Sequence, residues 1–227
     1  MRRAVLLLAV LVGLGATWVW LPSVLLQGPL ERHLVAALQA RGPVSVRAVT
    51  SPLALVRGRI ERLDVTAVGV RAGDVTASRL VASFRGVTAR RAGAALEIVA
   101  VTAGTVQVEL TAADLEGYLG ARGVEQASVR IAADGIEASG AVRAGPVLAA
   151  VRVRGQFYVA DRSDVYFRID ALDLSGMDIP PAAATAMLAM AGRPVVTLRG
   201  LPVPARIERI AAREGRLIVD GRVGEEP

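Results

Sequence analysis

Val151-Arg-Val-Arg-Gly-Gln-Phe-Tyr-Val-Ala-Asp-Arg-Ser-Asp-Val-Tyr-Phe-Arg-Ile-Asp170 decides the fold class. Val151, Val153, Gly155, Phe157 and Val159 alternate with Arg152, Arg154, Gln156 and Tyr158. After a turn at Asp161-Arg-Ser-Asp164, Val165, Phe167 and Ile169 alternate with Tyr166, Arg168 and Asp170. A period of two places one set of side chains on each face of a strand, so this stretch predicts an antiparallel pair with one apolar face.

The same signal extends in both directions. Upstream, Ser128 to Ala132 and Ile136 to Val142 flank Asp134-Gly135, a hairpin signature. Val44, Val46 and Ala48 alternate with polar residues, as do Leu63, Val65 and Ala67, while Ala72-Gly73-Asp74 marks a turn. Leu80, Ala82 and Phe84 follow, blurred by Val81, and Ile98–Val101 and Val106–Leu110 read as two further strands. Downstream, Arg206–Ala212 and Arg216–Val223 form a final pair around Glu214-Gly215, after the extended connector Leu201-Pro-Val-Pro204.

Three helices interrupt the strands. Gly28-Pro29 opens the first, with Leu30, Leu34 and Leu38 on one face, and Arg41-Gly42-Pro43 stops it. Thr111 caps the second, with Asp114 three residues on, Leu115 and Leu119 on its apolar side, and Gly120 or Gly123 at its end. Pro180-Pro181 opens the third, through Met187, Leu188 and Met190.

The N-terminus reads differently. Met1-Arg2-Arg3 precedes an uncharged run whose apolar part, Ala4 to Leu26, is long enough to span a bilayer of about 20 residues' thickness. The two arginines predict a cytoplasmic N-terminus, and Trp18 and Trp20 fall where an interfacial belt would lie. A cleaved signal peptide is the competing reading, with Gly13-Leu14-Gly15 the best cleavage context. Both readings send the rest of the chain out of the cytoplasm. Residues 1–27 are therefore expected to be the anchor or signal segment, and 28–227 one domain.

Composition excludes several kinds of chemistry. Cysteine is absent, so there is no disulfide, thiolate metal site or lipid-modified cysteine. His33 is the single histidine, which rules out a site built mainly from imidazoles, and no metal or cofactor is expected. The basic residues are all Arg, a coding bias that lowers the value of the +6 net charge as a clue. No phosphate loop, nucleotide fingerprint, nucleophile elbow or zinc helix occurs, so no enzyme is expected. Asp161 and Asp164 have the spacing of calcium ligands but read as a hairpin turn, and Asp170, Asp173 and Asp178 read as solvated acids. Arg152, Arg154 and Arg168 form a stripe on a solvent face that also suits anionic headgroups. Nucleic acid is not an expected partner, because basic and aromatic residues do not interleave.

Three segments carry a family resemblance. They are Ser51-Pro-Leu-Ala-Leu-Val-Arg-Gly58 with Arg59-Ile-Glu-Arg-Leu-Asp-Val65; Val108-Glu-Leu-Thr-Ala-Ala-Asp-Leu-Glu-Gly-Tyr-Leu119; and Leu201-Pro-Val-Pro-Ala-Arg-Ile207 through Gly215-Arg-Leu-Ile-Val-Asp-Gly221. In these the chain resembles the LmeA-like phospholipid-binding family of bacterial envelope proteins. The resemblance implies an α+β, tubular lipid-binding (TULIP-like) fold, in which a curved antiparallel sheet wraps helices and leaves an apolar slot for acyl chains, here preceded by one N-terminal transmembrane helix. It implies a phospholipid or related membrane lipid as ligand and the membrane as partner. The alternative is a non-catalytic envelope scaffold whose sheet packs fully.

Strand parity names the expected slot lining. It comprises Val65, Ala67, Leu80, Ala82, Phe84, Val153, Phe157, Phe167 and Ile169, with Leu115 and Leu119 from a helix. A face with this many apolar groups must be buried against protein or ligand, at roughly 25 cal/mol per Å² removed from water.

Overall fold

The computed structural model describes residues 31, 34–92, 95–144, 147–175, 177–179, 194–199, 201, 203 and 205–224. The N-terminal apolar run, the start of the first expected helix with His33, and the expected third helix lie outside these residues. Among the described residues, no helix is long and apolar enough to cross a membrane.

The chain is mostly curved antiparallel β-sheet with few helices, in keeping with a TULIP-like fold. Strands β1 (Val44–Val49), β2 (Arg59–Ala72), β3 (Val75–Ala92) and β4 (Ala95–Thr111) form a meander. The C-terminal hairpin β11 (Ala205–Arg213) and β12 (Arg216–Val223) adds to it, in the order β1-β2-β3-β4-β12-β11. The second sheet is the expected meander: β5 (Val124–Ala132), β6 (Gly135–Ala144), β7 (Val147–Val159) and β8 (Asp164–Leu174). Short strands β9 (Met177–Ile179) and β10 (Val196–Thr197) both pair with β8. The helical pieces are α1 (34–38), α2 (Pro52–Val56) and α3 (Ala112–Gly120).

Two expectations are corrected. Ile98–Val101 and Val106–Leu110 are parts of the one strand β4. In the hairpin before β6, the two turn residues are Ala133 and Asp134, and Gly135 is already paired with Ala132.

The first correction has a physical cause in the sheet itself. Along β2 the buried positions run Ile60, then Leu63, Val65 and Ala67, then Val70 and Ala72. Along β3 they run Val75 and Ala77, then Leu80, Ala82 and Phe84, then Val87 and Ala89. Parity reverses twice on each strand, and at the same places on both, because the ladder stays in register from Arg59↔Thr88 to Ala72↔Val75. The reversals coincide with Gly69 (φ +65°) and Gly86 (φ +60°). A left-handed residue breaks the alternation without breaking the ladder. On β4 the inward set likewise moves from Gly104 to Val101, across Thr102, whose hydroxyl donates to the Gly86 carbonyl at 3.2 Å. A crease therefore crosses the sheet at Gly86 and Thr102. Beyond it β4 carries a bulge between its pairings with Thr88 and Ala89, which bends the strand further.

One core joins the sheets. Val129, Ile131, Ile136 and Val165 of the second sheet belong to the same buried cluster as the inner face of the first. Helix α3 lies between them. Thr111 and Asp114 form a reciprocal capping box at its start, and Leu115 is buried in the core. Asp114 Oδ2 accepts from Thr111 N at 2.7 Å and from Ser78 N at 3.0 Å, which ties the helix to β3. At the C-terminal end, Arg122 stands over the Tyr118 ring at 4.5 Å and pairs with Asp74 in the β2–β3 turn at 2.6 Å.

The turn at Asp161 and Asp164 is held by an arginine. Arg199 pairs with Asp161 and, at 2.8 Å, with Asp164, which is 4% exposed. The Ser163 carbonyl accepts from Leu198 N at 2.9 Å, and the Arg162 carbonyl accepts from Ile207 N. A guanidinium thus occupies the place that a cation bound by these acids would take.

Candidate functional site

The inner face of the first sheet is a grid. One row across it reads Val46, Val65, Ala82, Val106, Gly221 and Ile207. The row on one side reads Val44, Ala67, Leu80, Val108, Val219 and Ile210. The row on the other reads Ala48, Leu63, Phe84, Gly104, Val223 and Ala205. Small residues gather at the middle of the grid: Ala82, Gly104 and Gly221. The Phe84 ring lies over Gly104 so closely that a Cβ there would meet Cδ1 at 2.6 Å. Glycine is what lets the ring lie flat along the sheet.

The Phe84 ring covers Gly104 and Leu198 covers Gly221, so the space left open is beside Ala82. Leu34 and Leu38 of α1 and Leu201 and Val203 of the connector border it. Together with Val65, Leu80, Ala82, Phe84 and Val106 they line a slot whose described lining residues are all apolar. Its cavity volume is about 20 Å³, and about 320 Å³ of space lies between atoms when the open mouth is counted. The closed part takes about one water-sized group, at or just above the minimum for a hydrated cavity. The cavity volume is far below the roughly 300–1,000 Å³ typical of ligand pockets. Among the described residues the lining carries no side-chain nucleophile, base or hydrogen-bond donor. What it can do is hold aliphatic groups away from water.

The expected lining residues separate into groups. Val65, Leu80, Ala82 and Phe84 line this slot, and Ala67 is fully buried in the adjoining row. Leu115 is buried on α3, and Leu119 packs partly buried against the same core. Val153, Phe157, Phe167 and Ile169 stand on the second sheet, outside the slot's described lining. There Phe157 and Phe167 face each other across the ladder, with ring centroids 5.1 Å apart, edge to face. A bulge between Arg154 and Gly155 shifts the inward set of β8, so that Leu172 and Leu174 pair with Val153 and Val151. Parity reading stopped at Ile169 for that reason.

Five lining residues escaped the parity argument: Leu34, Leu38, Val106, Leu201 and Val203. The four-residue spacing of Leu34 and Leu38 and the alternation from Val106 were visible signals. Leu201 and Val203 lie in a proline-punctuated connector, and no periodicity points from there into a pocket.

Among the described residues Asp164 is the one buried charged group. Burial alone would raise the Asp64 carboxyl; hydrogen bonds from Ser83 and Arg62, with the charges of Arg62 and Arg47, outweigh it and hold the group below the usual carboxylate range. Burial on α3 pushes the Tyr118 hydroxyl up, against the pull of Arg122.

A curved antiparallel sheet with one apolar face thus stands against a slot whose described lining is apolar. The chain belongs to the LmeA-like phospholipid-binding family, which matches residues 24–222. No curated protein and no solved structure matches it.

Proposed function

We propose that this chain is a membrane-anchored, extracytoplasmic lipid-binding or lipid-transfer protein that holds phospholipid acyl chains in the apolar slot. The observation that carries this reading is the apolar lining of the slot among the described residues, in a chain of a phospholipid-binding family. Burying an acyl chain there gains about 0.8 kcal/mol for each methylene removed from water. Because the cavity volume is only about 20 Å³, the walls must part to admit a chain. The side proposed to move is formed by Leu34 and Leu38 on α1 and Leu201 and Val203 on the connector, which lie off the strands of the first sheet.

Lipid extraction and mass spectrometry of the purified chain test the proposal. Phospholipid recovered in a fixed ratio to protein is the expected result. A chain that carries none, and takes none up from vesicles, overturns it. Close packing of the surrounding rows, where Leu63 and Ala67 have no exposed surface, favours a second reading: a scaffold with a filled core and no ligand. The same experiment separates the two. The anchor is proposed from Arg2, Arg3 and the run Ala4 to Leu26. Protease added to intact spheroplasts is expected to degrade the domain, and full protection would place it in the cytoplasm.

A further inference from the structure

Among the described residues, the three most exposed large apolar side chains are Val56 at 86%, Leu53 at 63% and Val99 at 56%. All three lie at one end of the first sheet, past the crease, and Val49 at the end of β1 joins them. Isolated surface aliphatics are ordinary, but a cluster of the most exposed ones is not.

The segment that presents them is held in place. Thr50 Oγ1 donates to the Arg59 carbonyl at 2.8 Å, and Ser51 Oγ donates to Glu61 Oε1 at 2.9 Å. Ala89 N donates to the Gly58 carbonyl at 2.8 Å, which fixes the far side of α2 to β3. Leu53 and Val56 therefore point outward from a pinned helical turn.

Basic residues surround this end. Over residues 44–64 and 85–90 the charged groups are Arg47, Arg57, Arg59, Arg62, Arg85 and Arg90 against Glu61 and Asp64, a net of +4 out of the chain's +6. Arg62 is paired with Asp64, but Arg57, Arg59 and Arg85 make no ion pair among the described residues. Arg62 and Arg85 also stand directly opposite each other on β2 and β3, a like-charge pair that an external anion would relieve. Exposed aliphatics and arginines without an ion pair among the described residues, at the same end of the sheet, match an anionic bilayer surface: the aliphatics enter the acyl boundary and the guanidiniums meet headgroups.

We propose that the α2 end of the first sheet, with Leu53 and Val56 at its tip and Arg57, Arg59 and Arg85 around them, is a docking surface for an anionic lipid membrane. This surface is independent of slot occupancy, so its failure and the failure of lipid binding in the slot are separate results.

The absence of native cysteine makes a single-site test direct. A polarity-sensitive fluorophore is attached to Val56→Cys in the full chain, with Leu53→Cys as a second site should the first fold poorly. Leu148→Cys, 51% exposed on the outer face of the second sheet, is the reference. The protein is placed in vesicles of phosphatidylcholine and phosphatidylglycerol in equal parts, and in phosphatidylcholine alone. Expected is a blue shift at position 56 and quenching by spin-labelled lipid in the anionic vesicles, with position 148 unchanged, and loss of the shift in Arg57→Glu/Arg59→Glu. A probe that stays in water in both vesicles overturns the proposal. So does an equal response at 56 and 148, or one that is indifferent to lipid charge and to the two Glu substitutions. A shift without vesicles that grows with protein concentration assigns the surface to a second copy instead.

Discussion

At the scale of the residue, two positions do more than their sequence neighbours announce. Asp114 satisfies its own helix start and also accepts from Ser78 N and Ser78 Oγ, so one carboxylate serves α3 and β3 together. Asp114→Ala is expected to cost about 2–3 kcal/mol, the loss of a cap plus partly buried donors left without an acceptor. Asp114→Asn, which keeps an acceptor oxygen, should recover part of that. Urea unfolding of the two variants checks both statements. Gly86 is the second case. Its φ of +60° and the clash of a notional Cβ with Thr102 Oγ1 give Gly86→Ala two separate penalties. A loss of at least about 1 kcal/mol is expected from the backbone alone. Adding Thr102→Ala should relieve the contact but not the backbone strain, so the double variant should lie between Gly86→Ala and the parent. The Thr111-x-x-Asp114 signal was readable because a capping box is local, four residues long and set by hydrogen-bond geometry. The Ser78 partner is 36 residues away, and no local rule points to it.

At the scale of the element, alternation predicted most strands, and it failed where alternation itself is reversed. Leu80, Ala82 and Phe84 read correctly as one inward set, yet Val87 and Ala89 belong to the same strand and the same face with opposite parity. A period-two rule cannot pass through Gly86, because the left-handed residue resets which side points inward. β8 shows the same effect at its bulge, where Leu172 and Leu174 take over from Ile169. The outer faces of the strands carry the pH dependence. Asp64 on β2 and Asp161 before β8 both have carboxyls held below their usual range: burial opposes, and hydrogen bonds with arginine charge prevail. A lowered folded pKa means that the stabilisation is complete above the unfolded carboxylate value of about 3.9 and is lost as pH falls through the folded values. These two groups therefore leave stability level between about pH 5 and 7 and reduce it below about pH 4. Denaturant midpoints measured through that range should show an acid limb that flattens in Asp64→Asn/Asp161→Asn.

At the scale of the whole molecule, the slot's low centre is where filled core and open site differ. Ala82 sits in the middle row of the grid, between Val65 and Val106, with its methyl in the slot wall. In Ala82→Trp the ring takes the space that an acyl chain needs, so bound lipid is expected to fall while the domain stays folded. If the centre is instead close-packed core, the substitution costs about 1–3 kcal/mol or more by overpacking. Lipid content and thermal unfolding of the same sample distinguish the outcomes. The sequence by itself determined the antiparallel strands, the one-sided apolar faces, the capped helix, the resemblance to a phospholipid-binding family and the shared inward parity of Leu80, Ala82 and Phe84. Each of these rests on a pattern that repeats within a few residues or on a motif that can be read in line. Tertiary structure alone decided that the C-terminal hairpin completes the first sheet beside β4, 104 to 111 against 216 to 223. It also brought Leu201 and Val203 over Ala82, and set Val153, Phe157, Phe167 and Ile169 on a different sheet from the slot. Parity tells which face of its own strand a residue takes, but carries no information about which sheet that strand joins. That choice is made by contacts between segments far apart in the chain, through the burial each gains on the other.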